Sequence, residues 1–389
     1  MKSPKIRFKN AQGADFPDWS QDSLGSLCQM YQPATLSKQS LDESGPYAVY
    51  GANGIIGKHS QFNHAEAEVV VSCRGNCGSV QMTKPCSWIN GNAMVVHPKD
   101  EKLLEKKFLN YLLSGQNFKS LTTGGAQPQI TRGQLSNLSV FFPSCQEQQK
   151  IASFFSTLDQ KRELNERKLE VLEKLKKGLM QKIFTREIRF KKEDGVDFPD
   201  WKIVSLGSVV KAKGGAGFPL RLQNEETNEV PFFKVSDLNK FENRMYLSLA
   251  DKFISFETAK KEKYHYFNEK GVVLAKVGAA LMLERKRIAI PPFLIDNNLM
   301  ALFPNELINI NFLYFLCLHI NFSSLSQVGA IPSISANKVE RLNIELPSME
   351  EQERISSFFV KLDERISLCR DKLETFKVLK KGLMQQMFA

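Results

Sequence analysis

The sequence predicts an α+β protein in which two globular α/β domains are separated by two long antiparallel coiled-coil helices, as a pseudo-two-fold internal repeat. The first observation behind this prediction is a duplication that runs through the chain. The second is a heptad spacing of apolar residues at the end of each copy. The third is the mixture of short β-rich runs and helical stretches within each copy.

The duplication is read from two blocks. The segment IRFKNAQGADFPDWSQDSLGSL returns as IRFKKEDGVDFPDWKIVSLGSV at an offset of 182 residues, and FPSCQEQQKI returns as LPSMEEQERI at an offset of 204. The two offsets place 22 extra residues between the blocks of copy two. A period this long indicates duplicated domains rather than a solenoid. We predict domains at 1–143 and 186–347, and helices at 144–185 and 348–389.

Each predicted long helix has a recognisable start. Ser144 with Glu147, and Ser348 with Glu351, have the spacing of capping boxes, in which a serine and a glutamate satisfy the first backbone N–H groups. Apolar residues then follow at heptad spacing, which predicts a coiled-coil seam and a partner interface. The seam residues are Ile151, Phe155, Leu158, Leu169, Leu172, Leu179, Ile355, Phe359, Leu362, Ile366, Leu373, Phe376 and Leu383.

The middle of each copy differs almost completely from the other. Runs such as AEVVVSC, AMVVHP, EVPFFKV and GVVLAKV predict strands, and FLNYLL and FLYFLC lie in predicted helices. Thr131 and Gln134 have capping-box spacing and predict a short helix, so residues 125–129 should form an exposed loop before it. One scaffold therefore presents two different surfaces.

The composition narrows the class of protein. With 42% hydrophobic residues and no apolar run of the length of a membrane span, the chain is expected to be a globular cytoplasmic protein without membrane contact. The seven cysteines show no framework spacing, so we expect reduced thiols. The net charge of +11 favours a polyanionic partner, because lysine and arginine release the counterions of phosphates.

Motifs for catalysis and metal binding are incomplete. GANGIIGKH has Ala52 where a phosphate-binding loop begins with glycine, and His59 where a hydroxyl would bind magnesium, so a turn-rich loop is favoured. Cys73, Cys77 and Cys86 have only loose zinc spacing, and copy two has no cysteines there, which favours thiols over a metal site. IPPF at 290–293 lacks the Asn or Asp of an amino-methyltransferase motif. We therefore expect no catalytic residue and no metal in this chain.

Basic and amide side chains on predicted loops are the candidates for DNA binding. Arginine and lysine recognise guanine edges and phosphates, and glutamine recognises adenine. The candidates are Lys58, Arg74, Gln127, Gln129, Arg132, Lys211, Lys213, Arg221, Lys276, Arg285, Lys286 and Arg287.

Three motifs each occur twice and in the same order. They are Trp19–Gly25 with Trp201–Gly207, Gly125–Pro128 with Gly329–Pro332, and Pro143–Gln148 with Pro347–Gln352. With the long helix that follows each copy, these motifs closely resemble the specificity subunit of type I restriction-modification systems, over the full chain.

The resemblance implies two target-recognition domains, each reading one half of a bipartite, asymmetric double-stranded DNA sequence, while the paired helices set the length of the unread spacer. It also implies two modification (methyltransferase) subunits that bind the helices and methylate adenine with S-adenosylmethionine. Restriction subunits would join them, with ATP-driven translocation and nuclease activity. The implied cofactors, S-adenosylmethionine, ATP and magnesium, belong to those partners and not to this chain.

Three other interpretations stay open at the level of sequence. A coiled-coil adaptor whose domains bind protein would explain the repeat but not the basic surplus. A specificity subunit of a fused enzyme would serve one polypeptide that both cuts and methylates. An inactive methyltransferase fragment would contain one cofactor domain rather than two matched halves.

Overall fold

A computed structural model describes residues 4–124, 128–223, 225–326 and 332–388. The chain divides into two compact units. Unit 1 contains residues 1–167 and 371–389, and unit 2 contains residues 168–370. Each unit therefore combines one globular domain with part of each long helix. No helix in the described ranges is long and apolar enough to cross a membrane.

Unit 1 is built on a four-stranded antiparallel sheet in the order β2-β8-β5-β6, with a three-stranded sheet in the order β4-β3-β7 and a β1-β9 pair. Its strands are β1 (Ser20–Ser23), β2 (Cys28–Tyr31), β3 (Tyr47–Gly51), β4 (Gly54–His59), β5 (Val69–Ser72), β6 (Val80–Met82), β7 (Trp88–Ile89), β8 (Ala93–Pro98) and β9 (Ser139–Phe142). Its helices are α1 (Leu24–Leu27), α2 (Lys106–Ser114), α3 (Arg132–Ser136) and the first part of α4 (Cys145–Phe184).

Unit 2 repeats this arrangement with a five-stranded sheet in the order β11-β18-β15-β16-β13, a β14-β12-β17 sheet and a β10-β19 pair. Its strands are β10 (Lys202–Ser205), β11 (Val210–Gly214), β12 (Val230–Phe233), β13 (Tyr246–Leu247), β14 (Phe253–Ile254), β15 (Gly271–Ala275), β16 (Lys286–Ala289), β17 (Leu294–Ile295), β18 (Leu299–Pro304) and β19 (Asn343–Leu346). Its helices are α5 (Phe256–Lys261), α6 (Ala279–Met282), α7 (Ile310–His319), α8 (Ala336–Glu340) and the first part of α9 (Met349–Met387).

The duplicated Trp-x4-Leu-Gly motif packs into the core of each unit. Trp19 and Trp201 are buried in the cores of their units. Gly25 and Gly207 lie so close to a following short helix that an added Cβ would come within 2.9 Å of Ser136 and 2.8 Å of Glu340, respectively. The glycine is therefore needed at this close approach, which explains why it recurs.

The long helices pair antiparallel within each unit. In unit 1, Lys380 of α9 donates to Asp159 of α4 at 2.7 Å. In unit 2, Lys176 of α4 donates to Asp363 of α9 at 2.8 Å, and Arg370 donates to Glu173 at 2.6 Å. Residue numbers fall on one helix as they rise on the other, so the helices have the antiparallel arrangement that was predicted from the sequence.

Most seam residues lie in the cores of the two units. Ile151 and Phe155 are buried in unit 1, and Ile355, Phe359, Leu362 and Ile366 are buried in unit 2. Leu158 and Leu383 pack against the unit 1 core, and Leu169, Leu172 and Leu179 pack against the unit 2 core. Leu373 is buried and Phe376 is half-buried. The seam therefore holds each domain against the helices as well as one helix against the other.

The glutamates at the helix starts do not close capping boxes. The Glu147 carboxylate accepts two hydrogen bonds from Arg7, at 3.1 and 2.7 Å, and Glu351 accepts two from Arg189, at 3.2 and 2.8 Å. Both glutamates are fully buried. The prediction of capping boxes was therefore wrong here. The Glu351 N–H donates to the Ser348 hydroxyl at 3.4 Å, but the buried Ser144 hydroxyl has no partner among the described residues. Both carboxylates are engaged by arginine, because a buried carboxylate gains more from a two-bond pair with a guanidinium than from one backbone N–H.

The glutamine that follows each glutamate joins the helix to its domain. The Gln148 amide donates to the carbonyls of Leu103 and Pro143, both at 2.8 Å, and accepts from the Glu105 N–H at 2.8 Å. Gln352 makes the equivalent three bonds in unit 2. The duplicated Glu-Gln pair is therefore a clamp between the first turn of each long helix and its domain.

Candidate nucleic-acid interface

In unit 1, two loops meet at the carboxyl end of β5. Arg74 and Gln129 form an antiparallel bridge, and the Ile130 N–H donates to the Cys73 carbonyl at 3.0 Å. Directly paired residues on antiparallel strands present their side chains on one face about 5 Å apart. Both Arg74 and Gln129 are exposed. The structure thus brings together two of the candidates, one of a type that reads guanine and one that reads adenine.

Glycine makes the turn after Arg74 possible. Gly75 and Gly78 have φ of +69° and +84°, in the left-handed region that favours glycine. An added Cβ at Gly78 would lie 2.4 Å from Cβ of Phe118. The tight turn therefore packs against the core and leaves Arg74 at its exposed start.

The helix α3 follows Gln129 closely in the chain. Thr131 and Gln134 form the predicted capping box, with the Thr131 N–H donating to Gln134 Oε1 at 2.8 Å. Arg132 is exposed at the first position of the helix. Gln134 also donates to the Thr123 hydroxyl at 3.3 Å, and Thr123 pairs with Gln129. The start of α3, where Arg132 lies three residues after Gln129, is therefore held in place by hydrogen bonds.

One described candidate of copy one, Lys58, lies elsewhere. Lys58 is exposed on β4, opposite Ala48 of β3. The prediction of a loop for GANGIIGKH was wrong, because Gly54–His59 forms a strand after a two-residue turn at 52–53. Gln127 lies outside the described residues, as do the Gly125–Pro128 and Gly329–Pro332 motifs in part.

Unit 2 contains the same frame with different side chains. Val277 pairs with Ser333 as Arg74 pairs with Gln129, and the Ile334 N–H donates to the Lys276 carbonyl at 2.9 Å. Lys276 is half-buried at the position of the buried Cys73. Its Nζ lies beside Gly214, where an added Cβ would be 3.0 Å away. Equivalent positions therefore offer arginine and glutamine in one copy, and valine and serine in the other.

Strand β11 carries two more candidates. Lys211 is exposed, and Lys213 is half-buried with its Nζ 5.0 Å from the ring centroid of Phe303. Lys213 also lies 3.9 Å from Glu269. An ammonium over an aromatic face is held by the ring quadrupole, so Lys213 has a defined position beside Gly214 and Lys276.

Four candidates in unit 2 have other partners. Arg221 donates two hydrogen bonds to Glu262, at 2.7 and 2.6 Å, which raise the pKa of Arg221 and lower that of Glu262. Arg285 donates to the Asn239 amide oxygen. Lys286 is buried against Glu284, and Arg287 donates to backbone carbonyls, with burial lowering its pKa. Lys286 and Arg287 thus act in the fold of unit 2.

Sequence reasoning identified Gln134 only as part of a helix cap and missed Thr123, to whose hydroxyl Gln134 donates. Thr123 and Gln134 flank Gln129 in unit 1, and exposed Lys338 stands at the Gln134 position of unit 2. The offset of 204 residues was the signal that could have identified Lys338, because it aligns the two short helices. The arginines of the helix clamps were missed as well, although both recur at the offset of 182.

The cysteine region contains ordinary thiol contacts. Gln32 donates to Cys73 Sγ at 2.9 Å, and Cys77 Sγ donates to the Pro128 carbonyl at 3.1 Å. Cys86 is exposed. In the part of the chain that the structure describes, no group of three or more His, Cys, Asp or Glu residues could hold a metal ion.

Comparison with known proteins identifies the family of this chain. The family model described as the type I restriction modification DNA specificity domain matches residues 17–174 and again residues 199–377. The chain therefore belongs to this family. The two matches correspond to the two copies of the duplication.

Similar proteins match most of the length of the chain. The type I restriction enzyme MjaVIII specificity subunit of Methanocaldococcus jannaschii is 26% identical, over 97% of this chain and 94% of that protein. The MjaIX specificity subunit of the same organism is 25% identical, over 82% and 76%. The crystal structure of a type I S subunit from M. genitalium is 18% identical and has a TM-score of 0.72, covering 100% of this chain and 99% of that one. The last likeness shows the fold.

Proposed function

We propose that the chain is the DNA-recognition subunit of a type I restriction-modification complex, and that each domain reads one half of a bipartite target. One observation carries the proposal. The same backbone frame presents Arg74 with Gln129 in unit 1 and Val277 with Ser333 in unit 2. A shared frame with different side chains is what two different half-sites require, since base edges are distinguished by the donors and acceptors that meet them.

The chemistry of the complex is assigned to partners. Two methyltransferase subunits would methylate adenine with S-adenosylmethionine, and restriction subunits would use ATP and magnesium. An adenine inside a duplex must be flipped out before its amino group can react, so this chain's contribution is to place the DNA against the partner. The basic surplus of the chain supports phosphate contacts beside the bases.

The outer faces of the long helices are the proposed docking surface for the methyltransferase subunits. Most seam residues face the cores, whereas Leu164 and Leu379 in unit 1 and Leu368 and Leu175 in unit 2 are exposed. Leu164 is equivalent to Leu368, and Leu175 to Leu379, at the offset of 204. Equivalent exposed leucines on both helices support two copies of one partner. Leu368→Asp should weaken co-purification with the methyltransferase subunit, while Lys372→Ala should not.

The test is single-molecule methylation mapping of DNA from cells that carry the methyltransferase partner, with and without this chain. A split adenine-methylated motif that depends on the chain is the expected result. Arg74→Ala should then relax or abolish methylation through one half of the motif and leave the base preference of the other half unchanged. A protein-binding adaptor would assemble with the partner and yield no motif.

A domain exchange extends this test. Replacing residues 20–142 by the equivalent part of another specificity subunit should change one half-site alone. If both halves changed, one domain would not be reading one half, and the proposal would have to be abandoned.

A further inference from the structure

Most of the difference in length between the copies lies in one connection. In unit 1, β3 and β4 are joined by residues 52–53, whereas the equivalent strands β12 and β14 are joined by residues 234–252. This insertion adds strand β13 to the edge of the five-stranded sheet, parallel to β16. The four-stranded sheet of unit 1 has no strand at this edge in the described residues.

The insertion is tied firmly to the sheet. The Ile288 N–H donates to the Met245 carbonyl at 2.8 Å. The Arg287 guanidinium donates to the carbonyls of Asn243 and Leu238, the latter at 3.1 Å. One arginine of β16 therefore satisfies two carbonyls of the insertion, which holds it to the domain at several points.

The insertion is also rigid within itself. Asn243 is fully buried, and its amide donates to the carbonyls of Asp237 and Leu249 at 2.8 and 2.7 Å. Asp237 is fully buried as well, accepting from the Lys234 N–H at 2.8 Å and lying 2.8 Å from Lys240 Nζ. A loop whose buried polar groups are satisfied in this way keeps one conformation.

Arg244 connects the insertion to the long helix α9. Its guanidinium donates to the Ser367 hydroxyl of α9 and lies over the Phe241 ring, 4.8 Å from the centroid. The residue of α4 at the offset of 204 from Ser367 is Glu163, which pairs with Arg167 one turn further along its own helix at 2.6 Å. Among the residues that the structure describes, the contact of Arg244 with the helix therefore has no counterpart at Glu163 in unit 1.

We propose that residues 234–252 form a brace that fixes the domain of unit 2 against α9, and that Arg244 is a positioning residue for the spacing of the two half-sites. The inference rests on the proposed function. Both domains are clamped at the first turn of a long helix and pack on the helices through the seam, and in unit 1 the Tyr111 hydroxyl also donates to Asp159 of α4 at 2.9 Å. The brace gives unit 2 a further attachment, from the edge of its sheet to Ser367 of α9. This attachment resists rotation of the domain on the helix, so the reading face of unit 2 tolerates less change in spacer length.

The experiment uses the intact complex and duplexes that carry the mapped motif with its native spacer, or with a spacer one base pair longer or shorter. The readout is the ratio of affinities for native and altered spacers. Arg244→Gln and Ser367→Ala should each lower this ratio, by about tenfold, because one hydrogen bond to a charged group is lost. Glu163→Ala, at the equivalent position of α4, should leave the ratio unchanged.

The outcomes separate the brace from the wider proposal. If the wild-type complex binds no split motif, the proposed function fails. If it binds the motif and both variants keep the wild-type ratio, the brace is refuted while the function stands. If Arg244→Gln alone changes the ratio and also lowers the unfolding temperature, Arg244 acts through the fold of the loop and not through Ser367, and the brace is likewise refuted.

Discussion

Arg189 and Glu351, 162 residues apart in the chain, form a two-bond ion pair, and its carboxylate is wholly buried. Arg7 and Glu147 form the same pair in unit 1. Each arginine also donates to two backbone carbonyls of the repeated DFPDW segment, Phe16 and Pro17 in one copy and Phe198 and Pro199 in the other. Through its arginine, the duplicated pentapeptide is therefore joined to the first turn of the long helix in each copy.

Removing the arginine of a clamp should be costly. Arg189→Ala leaves the buried Glu351 carboxylate without its main partner, and we expect unit 2 to lose about 3 kcal/mol of its free energy of unfolding. Arg186, three residues earlier, pairs with Glu345 on the surface, so Arg186→Ala should cost less than about 1 kcal/mol. Denaturant unfolding of both variants tests this, and similar costs would show that the clamp is no stronger than a surface pair.

The pairing of the helices in unit 1 can be tested by charge reversal. Lys380 donates to both oxygens of Asp159, beneath the Tyr111 ring. Asp159→Lys should destabilise unit 1, and adding Lys380→Asp should recover about 1 kcal/mol. A double-mutant cycle measures this coupling. A coupling of zero would mean that the ion pair does not stabilise the antiparallel arrangement.

Glu262 should restrain Arg221. If Arg221 contacts DNA, the two hydrogen bonds to Glu262 compete with that contact, so Glu262→Gln should raise the affinity of the complex for its target. The salt dependence of binding should become steeper, because one more cation is available to phosphates. An affinity equal to that of the wild type, combined with no effect of Arg221→Gln, would remove Arg221 from the DNA-binding set.

Burial lowers the pKa of His64, whose Nε2 lies 3.0 Å from the Tyr31 hydroxyl, while the charge of Glu68 opposes this shift. The folded pKa is therefore below the unfolded value of about 6.5. Because the unfolded state binds the proton more readily, this shift adds to the free energy of unfolding of unit 1 at higher pH. The contribution is lost as the pH falls through the folded pKa of His64. Between about pH 7.5 and 5.5, the wild type should lose more stability than His64→Gln in urea unfolding. His265 is exposed, so His265→Gln should behave as the wild type does.

The scaffold could be predicted because its signals are local and occur twice. The heptads, the Thr131 capping box and the strand runs around β5, β8, β12 and β15 depend on residues close in sequence. Duplication then strengthened each prediction, since two independent stretches indicated the same element. The need for glycine at positions 25 and 207 could be explained only from the structure, which places Ser136 and Glu340 beside them.

The candidate site could be predicted only in part, because residue type does not determine burial. Arg74 and Gln129 are exposed and paired, whereas Lys286 is enclosed with Glu284 and the Phe322 ring. Both kinds of residue look alike in a list of basic side chains. Glu147 shows the same limit. Its spacing from Ser144 predicted a capping box, but its carboxylate accepts from Arg7, which lies 140 residues away in the chain.

The two-residue turn at 52–53 and the insertion at 234–252 occupy the same corner of the fold, and the strands on either side are retained in both copies. A corner that accepts so large a change without loss of the sheet is a place where new sequence can be added during evolution at little risk to folding. If the brace acts there, selection on this single corner can alter how strictly the enzyme measures distance along DNA, while the residues that choose the bases stay as they are.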